Sequence, residues 1–165
     1  MSLFNRRAVI AMGGLGLLSA CGFTPVYQSG KTAASLQNQI AIDLVKGRNG
    51  FELRQRLEDR LGRAAADAPY VLTFNLTITE DSLAVTEDEG TTRINLTGIA
   101  RFTVRRAASG QIVYQDQVRN ITAFGTTSRT FPSSVAEKDA NVRLSRVLAD
   151  QIAERIALTS GSWAG

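Results

Sequence analysis

Histidine is missing from all 165 residues, cysteine occurs once and proline three times. Without histidine the chain lacks the commonest metal ligand and the side chain that most often acts as general base near neutral pH. One thiol can close no intrachain disulfide. Neither sign of charge dominates: 19 basic residues stand against 15 acidic ones. Without the leader pair Arg6-Arg7 the basic count falls to 17, so the polycation expected of a nucleic-acid partner is absent. Enzyme and nucleic-acid functions lose most of their material, and the remaining length suits one domain with one core.

The lone thiol, Cys21, has a marked position. Arg6-Arg7 precede an apolar stretch from Ala8 to Leu18, and Leu18-Ser19-Ala20-Cys21 closes it with small residues. That order of basic start, apolar middle and small-residue cleavage site is an export signal. The stretch is too short for a bilayer, which needs about 20 apolar residues. Residues 1–20 therefore read as a lipoprotein signal peptide, and Cys21 as the lipidation site carrying diacylglycerol and an N-acyl chain such as palmitate. Each buried methylene contributes ~0.8 kcal/mol, so two or three chains anchor a protein that one would release. Asn5 and Ala8 fit twin-arginine export poorly, which favours the general route. Residues 21–38 read as a lipidated tether containing Phe23, Val26 and Tyr27, side chains suited to packing on the domain or entering the bilayer interface.

The rest of the chain predicts β-α-β-β-β-α. Ile40 to Val45 is a short β-leaning run. Asn49 and Glu52 are spaced as a capping box for a helix whose apolar stripe is Leu53, Leu57, Leu61 and Ala64, with Gly62 weakening its last turn. Leu72, Phe74, Leu76 and Ile78 alternate with Thr73, Asn75, Thr77 and Thr79, a half-buried strand. The next strand alternates over a longer span, with Ile94, Leu96, Gly98, Ala100, Phe102 and Val104 on one face. Its slim middle at Gly98 and Ala100 either admits a helix closely or marks a bulge. A hairpin with Gly110 leads to a return strand, Ile112 to Ile121, whose alternation breaks at Asp116 and Asn120. Phe124 to Ser133 reads as a loop, and Ser134 with Glu137 as a second capping box. The final helix carries the stripe Ala140, Leu144, Val147, Leu148, Ile152 and Ile156, and Gly161 ends it. The expected fold is α+β: a two-layer sandwich over residues 39–160, a four-stranded mixed sheet with two helices on one face, followed by a tail at 161–165.

Among chemistry-bearing groups, Glu80, Asp81, Glu87, Asp88 and Glu89 lack the alternating ligand spacing of a calcium loop and read as a solvated strand connection. Ser133 and Ser134 have neither a histidine nor a nucleophile elbow. No catalytic residue, metal ligand or cofactor site is expected. Arg93, Arg101 and Arg105 differ from these: they share one strand face among Thr and Asn, and the planar guanidinium suits phosphate. Arg129 and Lys138 lie near the start of the last helix, where backbone N–H groups also favour anions. The plainer reading of all five is a solvated charged surface.

The leader, Cys21-Gly22-Phe23-Thr24-Pro25-Val26-Tyr27, the element order, and Ala136-Glu137-Lys138-Asp139-Ala140 opening an amphipathic helix together resemble the LptE family over nearly the whole chain. The resemblance implies an outer-membrane lipoprotein, on the periplasmic side or within a barrel lumen. It would pair with the LptD β-barrel, support its assembly, and take part in lipopolysaccharide binding and insertion at the cell surface. It implies no enzymatic activity, and it nominates Lys138 through the local Glu137-Lys138-Asp139 match and Arg93 through its strand. Two other functions compete: an auxiliary lipoprotein of a lipid-transporting ABC system, and a small envelope hydrolase.

Overall fold

A computed structural model describes residues 35–83, 91–127 and 130–164. The elements run β1 (Ile40–Ile42), α1 (Arg48–Leu61), β2 (Tyr70–Leu83), β3 (Thr91–Arg106), β4 (Ile112–Thr127) and α2 (Thr130–Thr159), with a closing 3-10 turn at Ser160–Ser162. The sheet order is β1-β2-β3-β4, the first pair parallel and the others antiparallel. This is the expected α+β sandwich with its mixed four-stranded sheet.

Period-2 alternation divides the sheet into two surfaces. Leu72 and Phe74 of β2 and Leu96, Ala100, Phe102 and Val104 of β3 are buried on one face, where they meet Leu53, Leu57 and Leu61 of α1 and Leu144, Leu148, Ile152 and Ile156 of α2. Both helices thus cover the same side. Gly98 resolves its alternative in favour of close helix approach: a Cβ there would lie 2.8 Å from Leu148 Cδ1 and 3.1 Å from Leu144 Cδ2. The ladder irregularity falls instead at Val104/Arg105. The hairpin keeps its expected glycine, Gly110, at φ 69°.

Several boundaries differ from expectation. β1 is only three residues long, because beyond Asp43, whose N–H reaches Leu72 O at 2.9 Å, the chain turns away toward α1. α1 starts at Arg48 with Gly47 as its cap and no side-chain cap hydrogen bond. Asn49 is inside the helix and donates from Nδ2 to Asn141 Oδ1 at 3.0 Å, tying α1 to α2 rather than capping. The helix ends at Leu61, leaving Ala64 outside it; Gly62, at φ 81°, has Asn38 against the space a Cβ would need. β4 runs to Thr127 and α2 begins at Thr130, so most of the expected loop from Phe124 to Ser133 is strand and helix. Phe124 is buried opposite Ile94, and that burial sustains the pairing through a polar stretch. Ser134 consequently lies within α2 and not at its cap. Pro132, which lacks an N–H, costs nothing in a first helical turn, where those groups have no intrahelical partner. At the other end α2 closes at Thr159, and Trp163 folds back onto the sheet, its ring 5.3 Å from Tyr70 edge-on and 6.2 Å from Tyr114 stacked.

Ion pairs join the helical layer. Arg56 donates from Nε and Nη2 to the two oxygens of Asp150 at 3.0 and 3.1 Å, and Arg60 lies 3.4 Å from the same carboxylate. The hydrogen bond and charge of Asp150 hold the Arg56 guanidinium still further above its already high pKa. Arg146 approaches Glu52 at 4.0 Å. Among the described residues no helix is long and apolar enough to cross a membrane.

Candidate ligand and partner face

The sheet surface turned away from the helices is built from the alternate residues of three long strands. β2 contributes Thr73, Asn75, Thr77, Thr79 and Asp81; β3 contributes Arg93, Asn95, Thr97, Ile99, Arg101, Thr103 and Arg105. Register places Arg101 between Asn75 and Gln117, and Arg105 opposite Val71. Arg93, Arg101 and Arg105 are exposed, as the alternation requires. At about 3.3 Å per residue, Arg101 and Arg105 are about 13 Å apart and Arg93 lies about 26 Å from Arg101. The three form a row spanning the sheet and not a single pocket.

A fourth cation joins them that the sequence pattern missed. Arg119 of β4 pairs with Ile99, which puts it diagonally beside Arg101, about 7–8 Å away by Cα. The broken alternation at Asp116 concealed it. Asp116 lies on the helix-covered face, accepts the Tyr114 O–H at 3.0 Å and sits 3.5 Å from Arg155 Nη1 of α2. An inward aspartate is therefore satisfied by a helix arginine, and the strand keeps its phase. The signal available in sequence was Val118: counted as inward, it turns Arg119 outward.

Among the described residues none of these four arginines is in an ion pair, whereas Arg54, Arg56, Arg60, Arg63, Arg143, Arg146 and Arg155 all are. Among the described residues of that face, Asp81, opposite Asn95, is the acidic one. Ile121, 54 % exposed, and Ile99 give it an apolar strip between the cations. Such a surface offers guanidinium forks to phosphates, side-chain amides and hydroxyls to hydrogen-bonding partners, and a little grease between them.

Lys138 is exposed on α2 and thus belongs to the helical layer, not to the open face. It nonetheless shares one end of the molecule with Arg93. Arg93 pairs with Gly125 near the end of β4, and α2 begins just beyond that strand. The structure so brings Arg93 and Lys138 to a common end and carries Arg101, Arg105 and Arg119 away from it. Arg129, Cys21, and the acidic Glu87, Asp88 and Glu89 lie outside the described residues. Among the described residues no group of three or more His, Cys, Asp or Glu is placed to hold a metal ion.

The fold is similar to those of several solved bacterial lipoproteins. A chain described as a lipoprotein from Caulobacter crescentus matches at a TM-score of 0.62 with 16% identity, over 77% of this chain and 93% of that one. Rare lipoprotein B from Shewanella oneidensis matches at 0.56 with 16% identity, over 78% and 99%. A minor lipoprotein from Acinetobacter baumannii matches at 0.54 with 16% identity, over 74% and 94%. No curated protein sequence matches significantly. The family model for LptE, lipopolysaccharide-assembly, matches residues 37–156. That span runs from the turn before β1 almost to the end of α2 and takes in both helices and all four strands, so the chain belongs to the LptE family of lipopolysaccharide-assembly proteins.

Proposed function

We propose that this lipopolysaccharide-assembly lipoprotein is anchored in the outer membrane through an acylated Cys21 after removal of residues 1–20. There it pairs with an LptD-like β-barrel, supports the assembly of that barrel and engages lipopolysaccharide during insertion at the cell surface. The observation that carries the reading is the polar open face, with four arginines outside any described ion pair, backed by two helices that cover the opposite face of the sheet. A barrel lumen is wet and polar, and a rigid wedge with a hydrogen-bonding face fits it better than an apolar surface would. In this reading Arg93 and Lys138, at one end, engage glycolipid phosphates by charge-assisted hydrogen bonds, while Arg101, Arg105 and Arg119 face the barrel wall. Arg129, nine positions before Lys138 in sequence, is proposed as an accessory cation. No covalent chemistry is assigned to any residue.

The test is capture and binding with the lipidated protein. A β-barrel crosslinked in intact envelopes supports the reading; an inner-membrane ATPase complex in its place overturns it. Arg93→Asp combined with Lys138→Asp is expected to weaken lipopolysaccharide binding at least tenfold at low salt, where exposed charges are least screened. Unchanged binding removes both residues from the site.

A further inference from the structure

β1 is an outer strand, and one of its edges has no strand beside it among the described residues. In its parallel pairing with β2, Tyr70 donates its N–H to Gln39 O and Asp43 donates its own to Leu72 O. Backbone groups alternate in direction along a strand, so those of Ile40 and Ile42 point the other way, outward from the sheet. They open onto a groove of about 680 Å³ bounded by β1, by Phe51, Arg54 and Glu58 of α1, and by the connection that follows Gly62. An apolar side chain stands over it, Phe51, which is 62 % exposed. Leu44, two residues past the end of β1, is 80 % exposed. Ile40–Ile42 carries neither the proline nor the lysine with which natural edge strands block further pairing.

The chain itself reaches this groove. Gln37 Nε2 donates to Arg60 O at 3.2 Å and Asn38 N–H to Leu61 O at 2.9 Å, so the polypeptide enters the fold beside the Gly62 end of the groove. The stretch immediately before it, Cys21–Ala34, holds Phe23, Val26 and Tyr27 and no acidic residue. A reversal between Gly30 and Gln39 is enough to bring that stretch alongside β1, since at about 3.3 Å per residue it outruns the distance from Ile40 to Leu44. Pro25, without an N–H, is tolerated in an outermost strand.

We propose that the segment around Phe23–Tyr27 docks antiparallel on the free edge of β1, its backbone pairing with Ile40 and Ile42 and its apolar side chains covering Leu44 and Phe51. Main-chain hydrogen bonds then give the affinity and the exposed apolar pair gives the register, as in other strand additions. If Cys21 is the anchor, as the proposed function holds, docking shortens the free link to the membrane to a few residues and fixes which side of the domain faces it. The docking itself does not depend on acylation.

Amide hydrogen exchange on the whole chain, expressed with its own leader and purified in detergent, tests this directly. The Ile40 and Ile42 amides are expected to exchange at least tenfold more slowly than exposed edge amides, and Phe23→Asp with Tyr27→Asp is expected to abolish that protection. The Asp43 amide, bonded to β2, serves as the internal reference and should not change. Fast exchange at Ile40 and Ile42 in the unsubstituted chain overturns the proposal, and so does protection that survives the double substitution. Protection that rises with protein concentration assigns the edge to a second copy and equally overturns it.

Discussion

At Gly98 the sheet makes room for a helix, and only a hydrogen fits. Leu148 and Leu144 already occupy the space a Cβ would take. Gly98→Val is expected to destabilise the domain by about 1–3 kcal/mol through overpacking, read as a lower denaturant midpoint at unchanged slope. Ser145 is the opposite case. It is fully buried on α2, and its Oγ has no hydrogen-bond partner among the described residues. A buried unmade hydrogen bond costs about 1–3 kcal/mol, so Ser145→Ala is expected to leave stability unchanged or raise it by about 1 kcal/mol in the same assay. Tyr114 offers a pH probe. Burial first, and its hydrogen bond to Asp116 second, raise the phenol above its ordinary pKa near 10. The folded state therefore favours the neutral phenol, and this contribution to stability is complete below pH 10 and is lost as pH climbs through the raised value. Asp116→Ala is expected to bring the ultraviolet titration midpoint of this phenol down toward that of a free tyrosine; an unmoved midpoint would show that the Asp116 bond contributes nothing.

The helices and strands show how far local pattern reaches and where it stops. α2 was legible because Ala140, Leu144, Leu148, Ile152 and Ile156 recur every fourth residue, and all five are buried. That seam makes Leu148→Ala a cavity substitution, expected to cost about 2–5 kcal/mol by calorimetry or denaturant titration. The start of α1 was less legible, because Asn49 satisfies the spacing of a cap while the backbone is capped two residues earlier, at Gly47. Asn49 bonds Asn141, 92 positions away in sequence, and no window of local residues can report such a partner. β4 failed for a related reason. Its phase depends on Asp116 being acceptable inward, and that acceptance comes from Arg155 on another element. The C-terminal turn shares the difficulty: Trp163 belongs to the fold through Tyr70 and Tyr114, contacts that only tertiary structure creates. Of the candidate cations, the β3 row was readable from alternation alone; Arg119 and the shared end of Arg93 and Lys138 needed the register.

For the molecule as a whole, the proposed function places partner recognition on the sheet face opposite the one that holds the core. The covered face holds the core, while the open face contributes exposed Arg101 and Arg119 that touch no charged partner among the described residues. Surface substitutions away from packed features usually move stability by no more than about 0.5 kcal/mol. Arg101→Glu with Arg119→Glu should therefore unfold at the same denaturant concentration as the parent chain, while replacing the middle of a cationic face with two carboxylates. If the face meets a barrel wall, the double variant loses capture of the β-barrel in envelopes yet retains lipopolysaccharide binding through Arg93 and Lys138. The pair at the end behaves in the reverse sense, with barrel capture kept and glycolipid binding lost. Because both effects act through exposed charge, each should shrink as ionic strength rises past the range where the screening length falls to about 8–10 Å. Loss of both activities together in either variant would mean that the two ends of the arginine row serve one contact, and the division of labour drawn here would fall.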